Sequence, residues 1–252
     1  MKEMFDLSHK VAIVTGCNTG LGQGMALALA NAGADIVGVN RSDPKETMAL
    51  MSATGRQFHS IIADMSKVES VDAIIDEAVK TFGHVDILVN NAGIIRRNDA
   101  IEFTEKDWDD VMDVNIKSVF FMSQGFAKQV ISQGCSGNII NIASMLSFQG
   151  GIRVPSYTAS KSGVMGVTKL LANEWAQHGI NVNAIAPGYM STNNTQALRA
   201  DEARSNEILA RIPAGRWGLP EDMAGPVVFL ASDASRYVNG YTIAVDGGWL
   251  AR

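Results

Sequence analysis

Cysteine, histidine and charge are all in short supply in this sequence. Two cysteines stand in 252 residues, Cys17 and Cys135. They make no disulfide framework and have no metal-ligand spacing, so a reducing compartment, the cytoplasm, is the expected home. The four histidines, His9, His59, His84 and His178, are scattered with no pair spaced for zinc. They read as surface residues, and no metal is expected in the chemistry. Charged residues make up 19% and sum to a net charge of −5. Nucleic acid and anionic membrane therefore find no basic surface, and neither is an expected partner. No apolar run approaches the roughly 18 residues of a membrane span. The opening stretch, MKEMFDLSHKVAIVTG, has charges where a signal peptide needs an apolar core. What is present is ordinary for a soluble globular chain: 46% hydrophobic residues and enough length for a full core.

Short apolar runs at 11–14, 35–39, 58–63, 87–89, 138–142, 182–185 and 242–245 alternate with longer amphipathic stretches. The runs are rich in Val and Ile, and several are apolar on consecutive positions. Strands read this way when both faces of a sheet are covered. Between them lie helical patterns, such as 68–82, where Val71, Ile74, Ile75, Ala78, Val79 and Phe82 share one stripe. Seven strands joined by helical crossovers predict an α/β fold, a doubly wound parallel seven-stranded sheet with helices on both faces. There is no internal repeat or linker, so residues 1–252 are read as a single domain. The stretch 189–217 is long, polar and poor in strand signal, which predicts a substrate lid.

The first strand runs into Thr15-Gly16-Cys17-Asn18-Thr19-Gly20-Leu21-Gly22, and a helix follows. Glycines permit a tight turn and close approach of a ligand, and the helix N-terminus offers free N–H groups to a pyrophosphate. Tyr157 and Lys161 are four apart in a helical stretch, 155–176, and so share a face. An ammonium beside a phenol favours the phenolate, which predicts a lowered Tyr157 pKa and a base for an alcohol proton. Ser144 follows a strand, where its hydroxyl can reach a substrate oxygen or simply cap a turn. Asn115 lies within a helical stretch, 107–128, where asparagine is mildly unfavourable. Asn90-Asn91-Ala92-Gly93 follows another strand and offers amides and small residues to a ligand or to the central strands.

Together these motifs, with Pro187-Gly188, resemble the short-chain dehydrogenase/reductase family, in its order and over almost the whole chain. The resemblance implies a single Rossmann-type domain, a homotetramer, and NAD or NADP as cosubstrate. It implies Ser144, Tyr157 and Lys161 as the catalytic groups, with Asn115 holding a water that links Lys161 to solvent. The coenzyme would be held by Gly16, Asn18, Thr19, Gly20, Leu21 and Gly22 in the turn, and by Asn40 and Arg41 after the second strand. Asp64 and Met65 would flank the adenine. Asn91, Ala92 and Gly93, with Tyr157 and Lys161, would line the middle, and Pro187, Gly188, Met190 and Thr192 the nicotinamide. For Asp64 a helix-capping role competes, although Ser66 is the better cap candidate for the helix near Val68.

The coenzyme choice turns on Asn40-Arg41, where NAD enzymes carry an acid for the ribose 2′-hydroxyl. Asn40 is neutral and Arg41 could pair with a phosphate, which points to NADP. Cys17, Asn18 and Thr19 in the glycine turn are all neutral, and an exposed arginine is commonly just solvated. With the resemblance to the family's sugar-acid dehydrogenases, this sets NAD as the expected coenzyme, with NADP kept open. That resemblance runs through 90–101, 108–125, 144–162, 186–202 and 212–252. It implies a deoxy sugar acid as substrate. Arg96, Arg97 and Arg153 are candidates for its carboxylate, since an arginine fork suits one. Gln149 and Asn194 are candidates for its hydroxyls, and Met145 for the wall beside Ser144. Met145, Leu146 and Phe148 also keep open an NADPH-dependent 3-oxoacyl-acyl-carrier-protein-type reductase. A non-catalytic nucleotide-binding protein is the third reading, though it would have no need of Ser144, Tyr157 and Lys161 together.

Overall fold

The computed structural model describes residues 2–252. Val11–Thr15 forms β1 and runs through the glycine turn into α1, Gly20–Asn31; β2 (Asp35–Asn40), α2 (Lys45–Ser52), β3 (Phe58–Ile62), α3 (Val71–Phe82) and β4 (Ile87–Asn90) follow. The second half holds α4 (Glu105–Met112), α5 (Ser118–Gln133), β5 (Gly137–Ile142), α6 (Pro155–Trp175) and β6 (Ile180–Pro187). It ends with α7 (Gln196–Ala200), α8 (Glu202–Arg211), α9 (Ala224–Ala231) and β7 (Thr242–Val245). The strands form one parallel sheet in the order β3-β2-β1-β4-β5-β6-β7. All seven expected strands are present; only Ala63, read into β3, falls outside its strand.

Consecutive apolar residues are explained by the two covered faces. Along β1, Ala12 and Val14 pack toward α1 and α9, among Met25, Leu29, Val227 and Leu230. Val11 and Ile13 pack the other way, with Ile74, Ile75, Met122 and Phe126 of α3 and α5. Every residue of β1 is buried, and each of its Val and Ile side chains contributes about 1.5–3 kcal/mol by leaving water. The chain winds outward from β1 to β3, then crosses back to β4 and winds the other way. The order reverses between β1 and β4, and beyond the carboxyl ends of those strands a crevice opens.

Two details depart from the sequence reading. The stretch 68–82 begins as a 3-10 turn, Val68–Ser70, before α3, and Ser66 does not cap it. The Ser66 amide instead donates to Asp64 Oδ1 at 3.0 Å. The single helix expected over 107–128 is two helices, α4 and α5, joined by a wide π turn at Asp113–Lys117. The 189–217 excursion is tied at its base, where Gly218 N donates to Tyr189 O at 2.9 Å and Ser191 N to Gly218 O at 2.7 Å. Between these ends it carries α7 and α8.

Candidate active site

The glycine turn is locked by contact with the end of β4. A Cβ on Gly22 would stand 2.2 Å from the Gly16 carbonyl oxygen and 2.4 Å from Asn91 Nδ2, so only glycine fits there. Asn91 Nδ2 donates to the carbonyls of Thr15 and Gly16, at 2.9 and 2.8 Å. Thr15 Oγ1 accepts from the amides of Asn91 and Ala92, both at 3.0 Å. Thr15 was not singled out in the sequence, because a threonine ending a strand carries no signal by itself. Thr19, at the N-cap of α1, makes no side-chain cap, which leaves the first amides of α1 facing the crevice without a side-chain partner.

That crevice is a cleft of about 630 Å³. Every position that the family resemblance assigns to the coenzyme lines it, from Gly16 to Thr192. At one end stand Asn40, Arg41 and Asp64. Asn40 is buried; its Nδ2 lies 3.6 Å from Cys17 Sγ, and its Oδ1 has no partner. Arg41 is exposed beside Ser42, whose hydroxyl lies 3.3 Å from Asn18 Nδ2. Asp64 is held below the usual carboxyl range by the Ser66 amide, with Arg41 and Lys67 adding to the effect. A cleft with glycine-turn amides in the middle and this polar end fits an extended dinucleotide.

At the other end stand Ser144, Tyr157 and Lys161, all in the lining. Ser144 is buried and does two things at once. It lines the cleft, and its Oγ accepts the Leu146 amide at 3.2 Å, capping the 3-10 turn Met145–Ser147. Lys161 is buried, and its Nζ donates to the Ile142 carbonyl at 2.5 Å while lying 5.8 Å from the Tyr157 ring centre. Burial lowers its pKa to about 8. Tyr157 behaves otherwise than expected. Burial pushes its phenol above the usual 10, opposed by the Ser144 hydroxyl and by the charge of Arg97. Lys161, its own pKa lowered to about 8, is neutral where the phenol titrates and so lends it no charge there. Asn115 is fully buried in the π turn. Its Oδ1 accepts the Ile94 amide at 2.8 Å, and its Nδ2 donates to Ile94 O and Ser160 Oγ at 2.9 and 3.2 Å. The wide turn aims a helix-disfavoured side chain at the loop beyond Gly93.

The substrate candidates divide. Asn194 lines the cleft, and its carbonyl accepts Arg97 Nη2 at 3.1 Å. Arg96 is instead committed to Asp107 and Asp110, at 3.4 and 3.2 Å, and Arg153 to Asp99 at 3.0 Å. None of the three arginines lines the cleft, and Arg96 and Arg153 are drawn off by nearby loop and helix carboxylates. Gln149 is also outside it: its Oε1 is taken by Arg211 and Trp249. Met145 is buried against Ile208, Ile212 and Trp249, with Leu146 packed on the same cluster. The histidines are at or near the surface, and no cluster of possible metal ligands occurs among the described residues.

A family profile described as Enoyl-(Acyl carrier protein) reductase matches residues 16–250. The 2-dehydro-3-deoxy-D-gluconate 5-dehydrogenase of Escherichia coli (strain K12) is 74% identical over 248 residues, 98% of each chain. A solved structure from Agrobacterium tumefaciens with bound NADP is 58% identical, with a TM-score of 0.94 over 99% of each chain. A gluconate 5-dehydrogenase from Burkholderia cenocepacia J2315, in complex with NADP and tartrate, is 39% identical, with a TM-score of 0.94. That match covers 100% of this chain and 99% of the other.

Proposed function

The chain belongs to the short-chain dehydrogenase/reductase family, and from that premise we propose that it is a nicotinamide-dependent dehydrogenase of deoxy sugar acids. It interconverts 2-dehydro-3-deoxy-D-gluconate with its 5-keto partner, in the breakdown of pectin and uronates. The observation that carries the reading is the meeting of Ser144, Tyr157 and Lys161 with the glycine turn in one cleft. A nicotinamide dinucleotide in that cleft supplies the hydride acceptor. Ser144 orients the substrate oxygen through its hydroxyl. Tyr157 takes the alcohol proton as the carbon loses its hydride, and returns it in the reverse direction. With burial holding the phenol neutral, positive charge must help it ionise. Arg97 supplies part, and Lys161 more once its ammonium turns from Ile142 toward the phenol. Asn115 fixes the Ile94 loop by donating to Ile94 O and accepting its amide, spends its other donor on Ser160, and keeps one acceptor position for a relaying water.

NAD is proposed as the working coenzyme, with NADP as a weaker substitute. The glycine turn brings no basic residue to a 2′-phosphate, since Cys17, Asn18 and Thr19 are neutral, while Arg41 with Ser42 gives one a place to sit. The NADP of the Agrobacterium relative is consistent with that second use. A tenfold preference for NADP in kcat/KM would overturn the NAD assignment. The acyl-reductase reading is the second one: Met145 and Leu146 pack on the α8 cluster, while Phe148 stays exposed. Location in the cytoplasm and assembly as a homotetramer complete the proposal, as does closure of the 189–217 segment over substrate. The test is NADH formation with 2-dehydro-3-deoxy-D-gluconate and 2-deoxy-D-gluconate, set against NADPH oxidation by an acetoacetyl substrate. Tyr157→Phe should cost about 10²–10⁴-fold in kcat. A loss of only a few-fold removes Tyr157 as the acid–base group.

A further inference from the structure

Behind Ser144, outside the lining of the cleft, three segments far apart in sequence meet. One is the turn after Ser144, which carries Met145 and Gln149. The second is α8, which ends at Arg211. The third is 246–252, which carries Trp249. Trp249 is 5% exposed and sits where the three meet. Its Nε1 donates to Gln149 Oε1 at 3.2 Å, and Arg211 Nη2 donates to the same oxygen at 3.2 Å. The Arg211 guanidinium also lies 4.0 Å from the Trp249 ring centre, close enough for a cation–π contact. On another side the Tyr189 ring meets the indole edge to face at 4.9 Å. Tyr189 directly follows Gly188 and precedes Met190, both of which line the cleft. Met145, the residue after Ser144, packs on the same indole with Ile208 and Ile212.

The segment holding Trp249 is itself fixed. The Asp246 carboxylate accepts the amides of Gly248 and Leu250, both at 2.9 Å, and Ala214 N donates to Gly247 O at 2.9 Å. Gly248 takes φ +90, and a Cβ there would stand 3.0 Å from Pro213 Cγ. The helix it holds has little else. Among the described residues, every hydrogen bond from α8 to anything outside 201–212 goes to Gln149 or to Arg252. It also packs on α7 and, through Ile208, on the apolar cluster that holds Trp249.

We propose that Trp249, Gln149 and Arg211 form a positioning clamp that fixes α8 against the Ser144 turn and thereby sets how tightly the sugar acid is held. None of the three touches the reacting atoms. The clamp acts through Met145 on Ser144 and through α8 on the loop that presents Asn194. The coenzyme's contacts at the glycine turn and at Asn40 lie away from it, so its effect falls on substrate and not on coenzyme.

The kinetic readout rests on the sugar-acid reading above. Two variants test the clamp without emptying the core: Trp249→Phe, which keeps the ring and loses the N–H, and Gln149→Met, which keeps the volume and loses the acceptor. Each should raise the sugar-acid KM about tenfold while kcat and the coenzyme KM stay within about threefold. Trypsin should also cut faster after Arg199 and Arg204 in both. Gln149→Glu keeps the acceptor for both donors and should restore parental KM. An unchanged sugar-acid KM in both variants, or a coenzyme KM that rises in parallel, overturns the clamp. If the parent enzyme oxidises no sugar acid, the proposed function falls instead. The cleavage rates then decide the clamp alone, and equal rates in parent and variants overturn it.

Discussion

Of the three arginines that the sequence offered for a carboxylate, only Arg97 faces no acid. It reaches a backbone carbonyl of the 189–217 segment and places its charge on Tyr157. A charged hydrogen bond is worth about 1.5–3 kcal/mol, so Arg97→Ala should raise the sugar-acid KM by about 10–100-fold. Arg96→Ala and Arg153→Ala remove exposed ion pairs of small value and should leave KM within about threefold. If all three leave KM unchanged, the carboxylate reading is wrong. Lys161 makes a second residue-scale prediction. Its pKa falls from the usual 10.5 to about 8 in the folded chain. From pH 8 to about 10 the native state has shed a proton that the unfolded chain still holds. Unfolding then takes up a proton, so raising the pH stabilises the protein through that window. Above about 10 Tyr157 works in the opposite sense, since its raised phenol keeps a proton that the unfolded chain loses. From about pH 9 the buried Cys17 thiol, pushed up to about 11, also works in that opposite sense. Thermal melts of the free enzyme should therefore climb from pH 8 to about 9, and Lys161→Met should flatten the climb. Parallel slopes in the two proteins would exclude this account.

Among the elements, the glycine turn was the most legible, because its spacing is dictated by backbone contact. Gly22→Ala drives a methyl into the Gly16 carbonyl and the Asn91 amide. The turn must open, and coenzyme affinity should fall by about tenfold or more, measured by calorimetric titration. Native affinity in this variant would mean that the turn does not hold the pyrophosphate. The strands were equally legible, since burial on both faces writes itself as unbroken Val and Ile. The break between α4 and α5 was not. Asn115 in that turn bonds Ile94, and Ile94 is an unremarkable apolar residue in the sequence. The arginine assignments failed for a related reason. Asp99, Asp107 and Asp110 are ordinary surface acids until the fold sets them beside Arg153 and Arg96.

Across the whole molecule, β7 stands at the edge of the sheet with Tyr241 63% exposed just before it, and Tyr237 is fully exposed on the approach. Exposed edges are commonly covered, and a second copy of the chain is the cover proposed here. Light scattering should return four times the 26.9 kDa of one chain. A monomer at micromolar concentration would refute the homotetramer. At this scale the sequence was legible in outline only. It gave the parallel sheet and placed the coenzyme residues around one cleft. The closure of the substrate side depends on Gln149 and Trp249, which are 100 positions apart. No local pattern joins such a pair.

The wide turn at Asp113–Lys117 also bears on how this chain can change over generations. Such a turn carries one residue more than a regular helix of the same rise uses. Losing that residue would let α4 and α5 merge into an ordinary helix, an outcome that helix energetics rewards. It would also rotate the flanking side chains by roughly 100°, the step of one residue around a helix. Asn115 would then leave Ile94 and Ser160. The same rotation would carry buried Val111 or Val119 off the core, so packing and the Asn115 contacts are tied to one residue, and a chain without it would have to rebuild both.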